Sequence, residues 1–419
     1  MCETGRVLAL TASLICVVTP ALSQVAPADE PSFFEHAESA LETARFGAAS
    51  KLGQRAFSDA QTDSERLRAA RLVSAAYFAM GRYFIAQYWL RRATNFAQTP
   101  DDAFQLRDDM SAIRKANPIN ISLSFSVAPS DNVNGGAADR TFTLGDFILE
   151  FAPSSLALSG IEYSSQVDIL YNLGESATGV TAAGLSFYGR TYSLSRSAKE
   201  SAPDVSGSDY AFTQIEASLR HRQSIFDGLG PTEIGFQLGK TWYGGEALRT
   251  YQRIALSQDF ILGQNAAVTI SGFAENQVAS SDAQVDTRVY DLKGIYAQRL
   301  PNQDVLRLTL QRRFHDADAV TFTYSDSRFV VNYELAQRYW DTKLSFFFGY
   351  GYKDYAEYSL SLDGRRDRSV SAGVSAVFEG VSYFGFSPNV TLAANQTRSN
   401  VARFTSNGVE ARLGFTSNF

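Results

Sequence analysis

Residues 343–353 read Lys-Leu-Ser-Phe-Phe-Phe-Gly-Tyr-Gly-Tyr-Lys, and their parity decides the fold. Leu344, Phe346, Phe348, Tyr350 and Tyr352 fall on one side of the run, with Lys343, Ser345 and Lys353 on the other. Successive side chains of a strand point to opposite faces, so this is a strand with one apolar and one polar face. The next run repeats the pattern: Val370, Ala372, Val374, Ala376 and Phe378 oppose Ser369, Ser371, Ser375 and Glu379. Working outward, alternating runs follow one another near 119–128, 156–171, 181–194, 208–222, 232–243, 248–260, 265–276, 286–299, 303–314, 325–338, 342–353, 367–379, 386–398 and 407–419. An even number of strands of this length, each with one apolar face, predicts an antiparallel transmembrane β-barrel of fourteen strands over 117–419. A soluble sandwich seldom strings so many hairpins together.

The connections sharpen the expectation. Gaps after even-numbered runs are mostly tight, as at Leu300-Pro301-Asn302 and 261–264; gaps after odd-numbered runs are mostly longer and polar, as at 129–155, 195–207, 315–324 and 354–366. Bacterial outer-membrane barrels have short periplasmic turns and long extracellular loops, which places both barrel ends on the periplasmic side. Connections 172–180 and 223–231 are long for turns, and 244–247 is short for a loop. In the final run Val409, Ala411, Leu413, Phe415 and Phe419 share one face against Glu410, Arg412, Thr416 and Asn418. A last strand of that kind ending in Phe resembles the recognition signal of the barrel-assembly machinery, with Leu413, Phe415 and Phe419 as its residues.

Before Asn117-Pro118 the period is different. Over about 31–116 Ala, Leu and aromatic residues recur at three and four positions, a helical spacing. In the clearest stretch Gly81 separates two helices, and the small residues Ala86 and Ala93 permit close packing, the layout of a tetratricopeptide helix pair. Arg45-Phe46, Ala49 and Ala56 lie 37 residues before Arg82-Tyr83, Ala86 and Ala93, an imperfect repeat. A small Ala-rich α-hairpin bundle is the alternative. If the repeat holds, Arg68, Arg71 and Phe78 face its concave side, where such grooves hold extended peptide. The fold class is therefore multidomain α+β: TPR-like helices over 24–116, then the barrel.

The first residues read as an export signal, 1–23. Val7 to Val18 is apolar but too short to span a bilayer, Arg6 precedes it, and Pro20-Ala21-Leu22-Ser23 offers small residues for cleavage before Gln24. The only two cysteines, Cys2 and Cys16, leave with that segment, which removes any disulfide framework or thiol chemistry. The net charge of −6 argues against a nucleic-acid partner, and 45% apolar residues exclude disorder.

The search for chemistry yields no catalytic residue, metal site or cofactor. His36, His221 and His315 are scattered, with no ligand spacing such as H-E-x-x-H and no G-x-S-x-G elbow. A rim hydrolase built on His221 or His315 stays open as a minor alternative. Gly235-Phe236-Gln237-Leu238-Gly239-Lys240-Thr241 is one residue short of a phosphate loop and lies within an alternating run. Asp131, Asn132 and Asn134 lack the charge for calcium, and Pro129-Ser130-Asp131-Asn132 reads first as a turn.

Helical repeats, the Asn117-Pro118 junction, an opening strand Ile119 to Ala128 and the closing Pro129-Ser130-Asp131-Asn132-Val133-Asn134 together resemble the surface lipoprotein assembly modulators, the Slam family. The helical region has room for about two repeats, fewer than some members carry. The resemblance implies a periplasmic TPR domain on an outer-membrane barrel that delivers surface lipoproteins, or related secreted proteins, across the outer membrane. It also implies a client protein, the barrel-assembly machinery and outer-membrane lipid as partners. The client would pass through the lumen, shaped by charges such as Arg307, Arg313 and Lys343, or at a seam between the first and last strands. The rival reading is a passive solute channel or polysaccharide-export porin with a periplasmic helical domain.

Overall fold

Both periodicities take their expected form in a computed structural model, which describes residues 32–144, 147–176, 178–226, 228–282, 284–381 and 386–418. The expected signal segment, its cysteines and Phe419 lie outside the described residues. The chain divides into two units that meet in sequence at Pro118 and Ile119.

The first unit comprises α1 (Phe33–Glu42), α2 (Phe46–Asp59), α3 (Asp63–Ala79), α4 (Tyr83–Thr94) and α5 (Pro100–Ala116). Its 37-residue repeat is structural. Ala44 (φ 56°) and Gly81 (φ 69°) occupy equivalent left-handed positions, each ending a helix in the same Schellman pair of hydrogen bonds. At the first end Arg45 N–H donates to Ala40 O (2.8 Å) and Ala44 N–H to Leu41 O (3.1 Å). At the second, Arg82 donates to Tyr77 O and Gly81 to Phe78 O, both at 2.9 Å. The Cβ of Ala44 costs about 1 kcal/mol in that conformation, which Gly81 avoids. Thr62 and Thr99 cap α3 and α5 at the same interval, in capping boxes with Glu65 and Asp102. The Gln61 and Thr62 amides hold the Glu65 carboxyl below its usual range, and the Thr99 hydroxyl does the same for Asp102. Asn117 caps α5, and Pro118 cannot continue it. Ala49, Ala86 and Ala93 are fully buried, and a Cβ on Gly53 would meet Val73, so α2 and α4 pack tightly on α3.

The second unit is a closed antiparallel barrel of fourteen strands, each hydrogen-bonded to its neighbours in sequence, the first and last closing the ring. The strands are β1 (Ile119–Ser130), β4 (Gly160–Glu175), β5 (Gly179–Leu194), β6 (Phe212–Gln223), β7 (Thr232–Tyr243), β8 (Glu246–Ile261), β9 (Ala266–Ala279), β10 (Thr287–Arg299), β11 (Val305–Ala317), β12 (Tyr324–Glu334), β13 (Thr342–Tyr355), β14 (Arg365–Phe378), β15 (Phe386–Ser399) and β16 (Ser406–Asn418). The first loop holds a separate hairpin, β2 (Thr141–Leu144) with β3 (Phe147–Glu150), and the next holds α6 (Arg196–Ser201).

All fourteen expected strands are present, in order, with differences at their ends. β4 begins at Gly160 rather than 156, because Leu156 and Leu158 bind Asn134 and Leu156 bridges Ala137. β6 begins at Phe212, since Gly207–Tyr210 forms a 3-10 turn. β12 stops at Glu334, ahead of a turn in which Trp340 and Asp341 take φ 51° and 54°. The connection expected to be long at 172–180 is only 176–178, because β4 and β5 both extend. At 244–247 a two-residue turn, Gly244-Gly245 (φ 59° and 86°), matches strand twist.

The apolar faces point outward and are left uncovered: Leu310 is 63% exposed, Leu292 61% and Ile254 60%. A belt of such residues around a ring with no sheet edge is the surface of a barrel that spans an outer membrane. Many inward positions are small or polar, with rings such as Phe273 and Phe347 among them. A Cβ on Gly239 would fall inside the Tyr251 ring, so the glycine lets the aromatic lie flat across the sheet.

Candidate functional site: lumen and closing seam

Strand register converts separate side chains into rows around the lumen. Asp291 (β10) lies opposite Arg313 (β11), Arg313 opposite Asp326 (β12), Asp326 opposite Lys353 (β13) and Lys353 opposite Asp367 (β14). The row alternates in sign across five strands. Arg313 Nε donates to Asp291 Oδ2 at 2.8 Å, which also accepts from Gln311 at 2.6 Å; Arg365 reaches Asp367 at 2.6 Å. A second cluster joins β6, β8 and β9: Tyr251 Oη donates to Glu216 at 2.7 Å, and Arg253 binds Glu275 at 2.5 Å. One row nearer the long loops, rings follow each other around the wall. His315 stacks on Tyr324 (centroids 4.1 Å), Tyr324 approaches Tyr355 (4.7 Å), Tyr355 Tyr358 (5.5 Å), and Tyr358 Phe404 (5.7 Å).

Of the charges expected in the lumen, Arg313 belongs to the alternating row and Lys343 pairs with Glu334 at 2.9 Å. Arg307 lies opposite Ala297 and Asn332 on the same inward parity. Replacing Arg313 with Met strands the Asp291 carboxylate, whose side chain is 4% exposed, with Gln311 alone. Because the guanidinium itself is 33% exposed, the expected loss is about 2 kcal/mol, less than for a fully buried pair. The urea midpoint of the folded barrel in detergent reads it, and an unchanged midpoint would mean that solvent already screens the pair.

Among the described residues, the closing seam is shorter than any other ladder of the barrel. β1 pairs with β4 along its length, Ile119 with Tyr171 through Ser130 with Gly160. Against β16 it pairs only from Ser122 with Asn418 to Val127 with Leu413. Toward the long loops Pro129 has no N–H to donate, and Ser406–Arg412 of β16 face no β1 partner. One side chain spans the gap. Arg412 Nη1 donates to Ser126 (2.9 Å) on β1 and to Glu162 (3.0 Å) on β4, while Nη2 donates to Glu410 at 2.5 Å. Leu413 and Phe415, read from sequence as an assembly signal, lie on the outer side of this seam, opposite Val127 and Phe125.

The expected groove residues have structural partners. The Arg68 guanidinium lies 4.3 Å from the Phe34 ring of α1. Arg71 binds Asp109 (2.9 Å) and Gln105 (2.6 Å) of α5, and burial pushes the Asp109 carboxyl up while Arg71 pulls it back. Phe78 meets Tyr83 edge-on at 5.9 Å. Together they tie α3 to α1, α5 and α4, with Arg68 left exposed. Asn132 and Asn134 of the junction motif build a loop clasp: Asn132 Oδ1 accepts from Gly136 N–H (2.7 Å), and Asn134 Nδ2 donates to Leu156 O (2.7 Å). Val133 between them packs with Leu158, Leu194 and Ala198. Asp131 follows Pro129 and Ser130, the last residues of β1.

The histidines are not brought together. His36 is on α1, His221 bonds Thr181 (2.8 Å), and His315 belongs to the ring row. Among the described residues no cluster of three metal-ligating side chains occurs. The register row and the Arg412 bridge were missed by sequence reading. Their signal was the inward parity of each charge, but the partners are strands apart.

No family model matches the chain, and no curated protein does. Solved structures that cover 72% of this chain include a bacterial polysaccharide outer membrane secretin (99% of that chain, 10% identity, TM-score 0.38) and an outer membrane channel from Pseudomonas putida F1 (96%, 11%, 0.37). CdiB from Acinetobacter baumannii is a third, covered over 60% of its length at 11% identity and a TM-score of 0.39. Likeness at this level leaves the functional reading of the barrel to its own residues.

Proposed function

We propose that this chain is an outer-membrane translocator that passes client proteins, surface lipoproteins or related secreted proteins, from the periplasm to the cell surface. The observation that carries the reading is the short β1–β16 ladder, bridged on its inner side by Arg412. A partly unpaired strand edge accepts another strand, and β-augmentation by a client would engage the backbone of Ser406–Arg412. The 37-residue helical repeat supports a peptide-holding role for the first unit, of the TPR kind the Slam resemblance implies. β1 starts and β16 ends at the short-turn end of the barrel, which supports a periplasmic position for the helices.

A second reading, a solute or polysaccharide channel, draws on the ring row from His315 to Phe404, since stacked aromatics suit sugar faces. It predicts stable ion conductance in bilayers and no protein client. Co-expression with lipoproteins encoded beside this chain, followed by protease shaving of intact cells, separates the two. The translocator makes at least one lipoprotein accessible only when the chain is present. If every candidate stays protected, the channel reading takes its place.

A further inference from the structure

Arg312 points the wrong way for a barrel arginine. Its neighbours at two-residue spacing, Leu310 and Phe314, are exposed on the outer wall, so Arg312 faces the hydrocarbon, while Arg313 beside it turns into the lumen and pairs with Asp291. Its guanidinium donates to two hydroxyls, Ser327 Oγ and Ser325 Oγ (2.9 Å), and lies 4.8 Å from the Phe314 ring. Among the described residues no carboxylate pairs with it. A lipid-facing cation is retained at a cost unless something neutralises it, and hydroxyls do not.

The ground beside it is hollow. A notch of about 380 Å³ has Gly294 as its floor and Leu292, Leu310, Phe329 and Tyr350 as walls, with Arg312 at its border. A Cβ on Gly294 would meet nothing within 4 Å, so the floor is open space. Ser325 pairs with Phe314, one row nearer the long loops than Arg312, so the guanidinium is turned toward that rim. The outward Arg288–Asp316 pair marks the rim, about 10 Å above Arg312 along the tilted strand. An apolar slot with a raised, unneutralised fork of N–H donors fits a molecule with an acyl chain below and a phosphate above.

We infer that this part of the wall binds a phosphate-bearing lipid of the outer leaflet, an acyl chain in the notch over Gly294 and its phosphate on Arg312, Ser325 and Ser327. The inference rests on the membrane placement of the barrel and not on client translocation. A lipid-borne phosphate is the source, because the notch opens on hydrocarbon rather than on the lumen.

Native mass spectrometry of the purified full chain tests it, with dioleoyl phosphatidic acid and dioleoylglycerol as probes that differ only in the phosphate. The unaltered chain retains one phosphatidic acid and no dioleoylglycerol. Arg312→Gln lowers occupancy about tenfold, and Gly294→Leu does so with the arginine intact, by filling the slot. Both variants keep heat-modifiable migration in electrophoresis. Equal retention of the two probes would reduce the site to an apolar notch and overturn the proposal. So would displacement of the lipid by millimolar inorganic phosphate, or unchanged occupancy in both variants.

Discussion

Oxidising the double variant Val127→Cys with Leu413→Cys stops client display, and reductant restores it. These residues lie directly opposite each other at the last paired position of the β1–β16 ladder, where the seam begins to open toward the long loops. Opposed side chains in an antiparallel pair are within reach of a disulfide, and the chain's only cysteines, Cys2 and Cys16, lie in the expected signal segment. A covalent bolt there keeps the paired part of the seam from parting beyond the free Ser406–Arg412 edge, so the opening a client strand needs cannot widen and surface accessibility falls about tenfold or more. The control fastens the same β1 residue to its other neighbour. Val127→Cys with Tyr163→Cys joins β1 to β4 within a continuous ladder and leaves display unchanged. Equal loss in both variants would show that stiffening, not the seam, is responsible; no loss in the first would rule the seam out as the path.

Deleting residues 31–116 reduces client display to the level of cells lacking the chain, while the barrel still inserts. The helical unit has its own cores, one around Val73, Ala86 and Leu90 and one around Ala37, Ala49 and Ala76. The barrel is closed by its own hydrogen bonds, β1 to β16, so its fold does not depend on those helices. Protease shaving reads display, and heat-modifiable migration reads insertion. Display that persists at full level without the helices would confine translocation to the barrel. Loss of insertion would instead show the helices to be an assembly element, which an Arg68→Glu variant with all helices present separates from client holding.

Strand order was legible because the barrel imposes one rule on every strand: alternate residues meet lipid. Runs such as Leu344, Phe346, Phe348 and Tyr350 therefore carry their own assignment. The helix break at Gly81 was legible for a similar local reason, since it acts on backbone groups within a few residues; the caps at Thr62 and Thr99 are equally local, but only the structure picked them out. Strand ends were less so. Alternation continues through 156–159, but Asn134 takes those backbone groups, a competition set by residues more than twenty positions away.

The sequence by itself determined a helical repeat, a fourteen-strand amphipathic series and the side of each strand that faces the membrane, because these follow from periods of 37 and two along the chain. Only the tertiary structure decided that Arg412 meets Glu162 across the closing strands, that five charges share one row, and that Arg312 stands over an empty notch. Register between strands fixes those meetings. It is set by pairing summed around the whole closed ring, and no stretch of chain carries it alone.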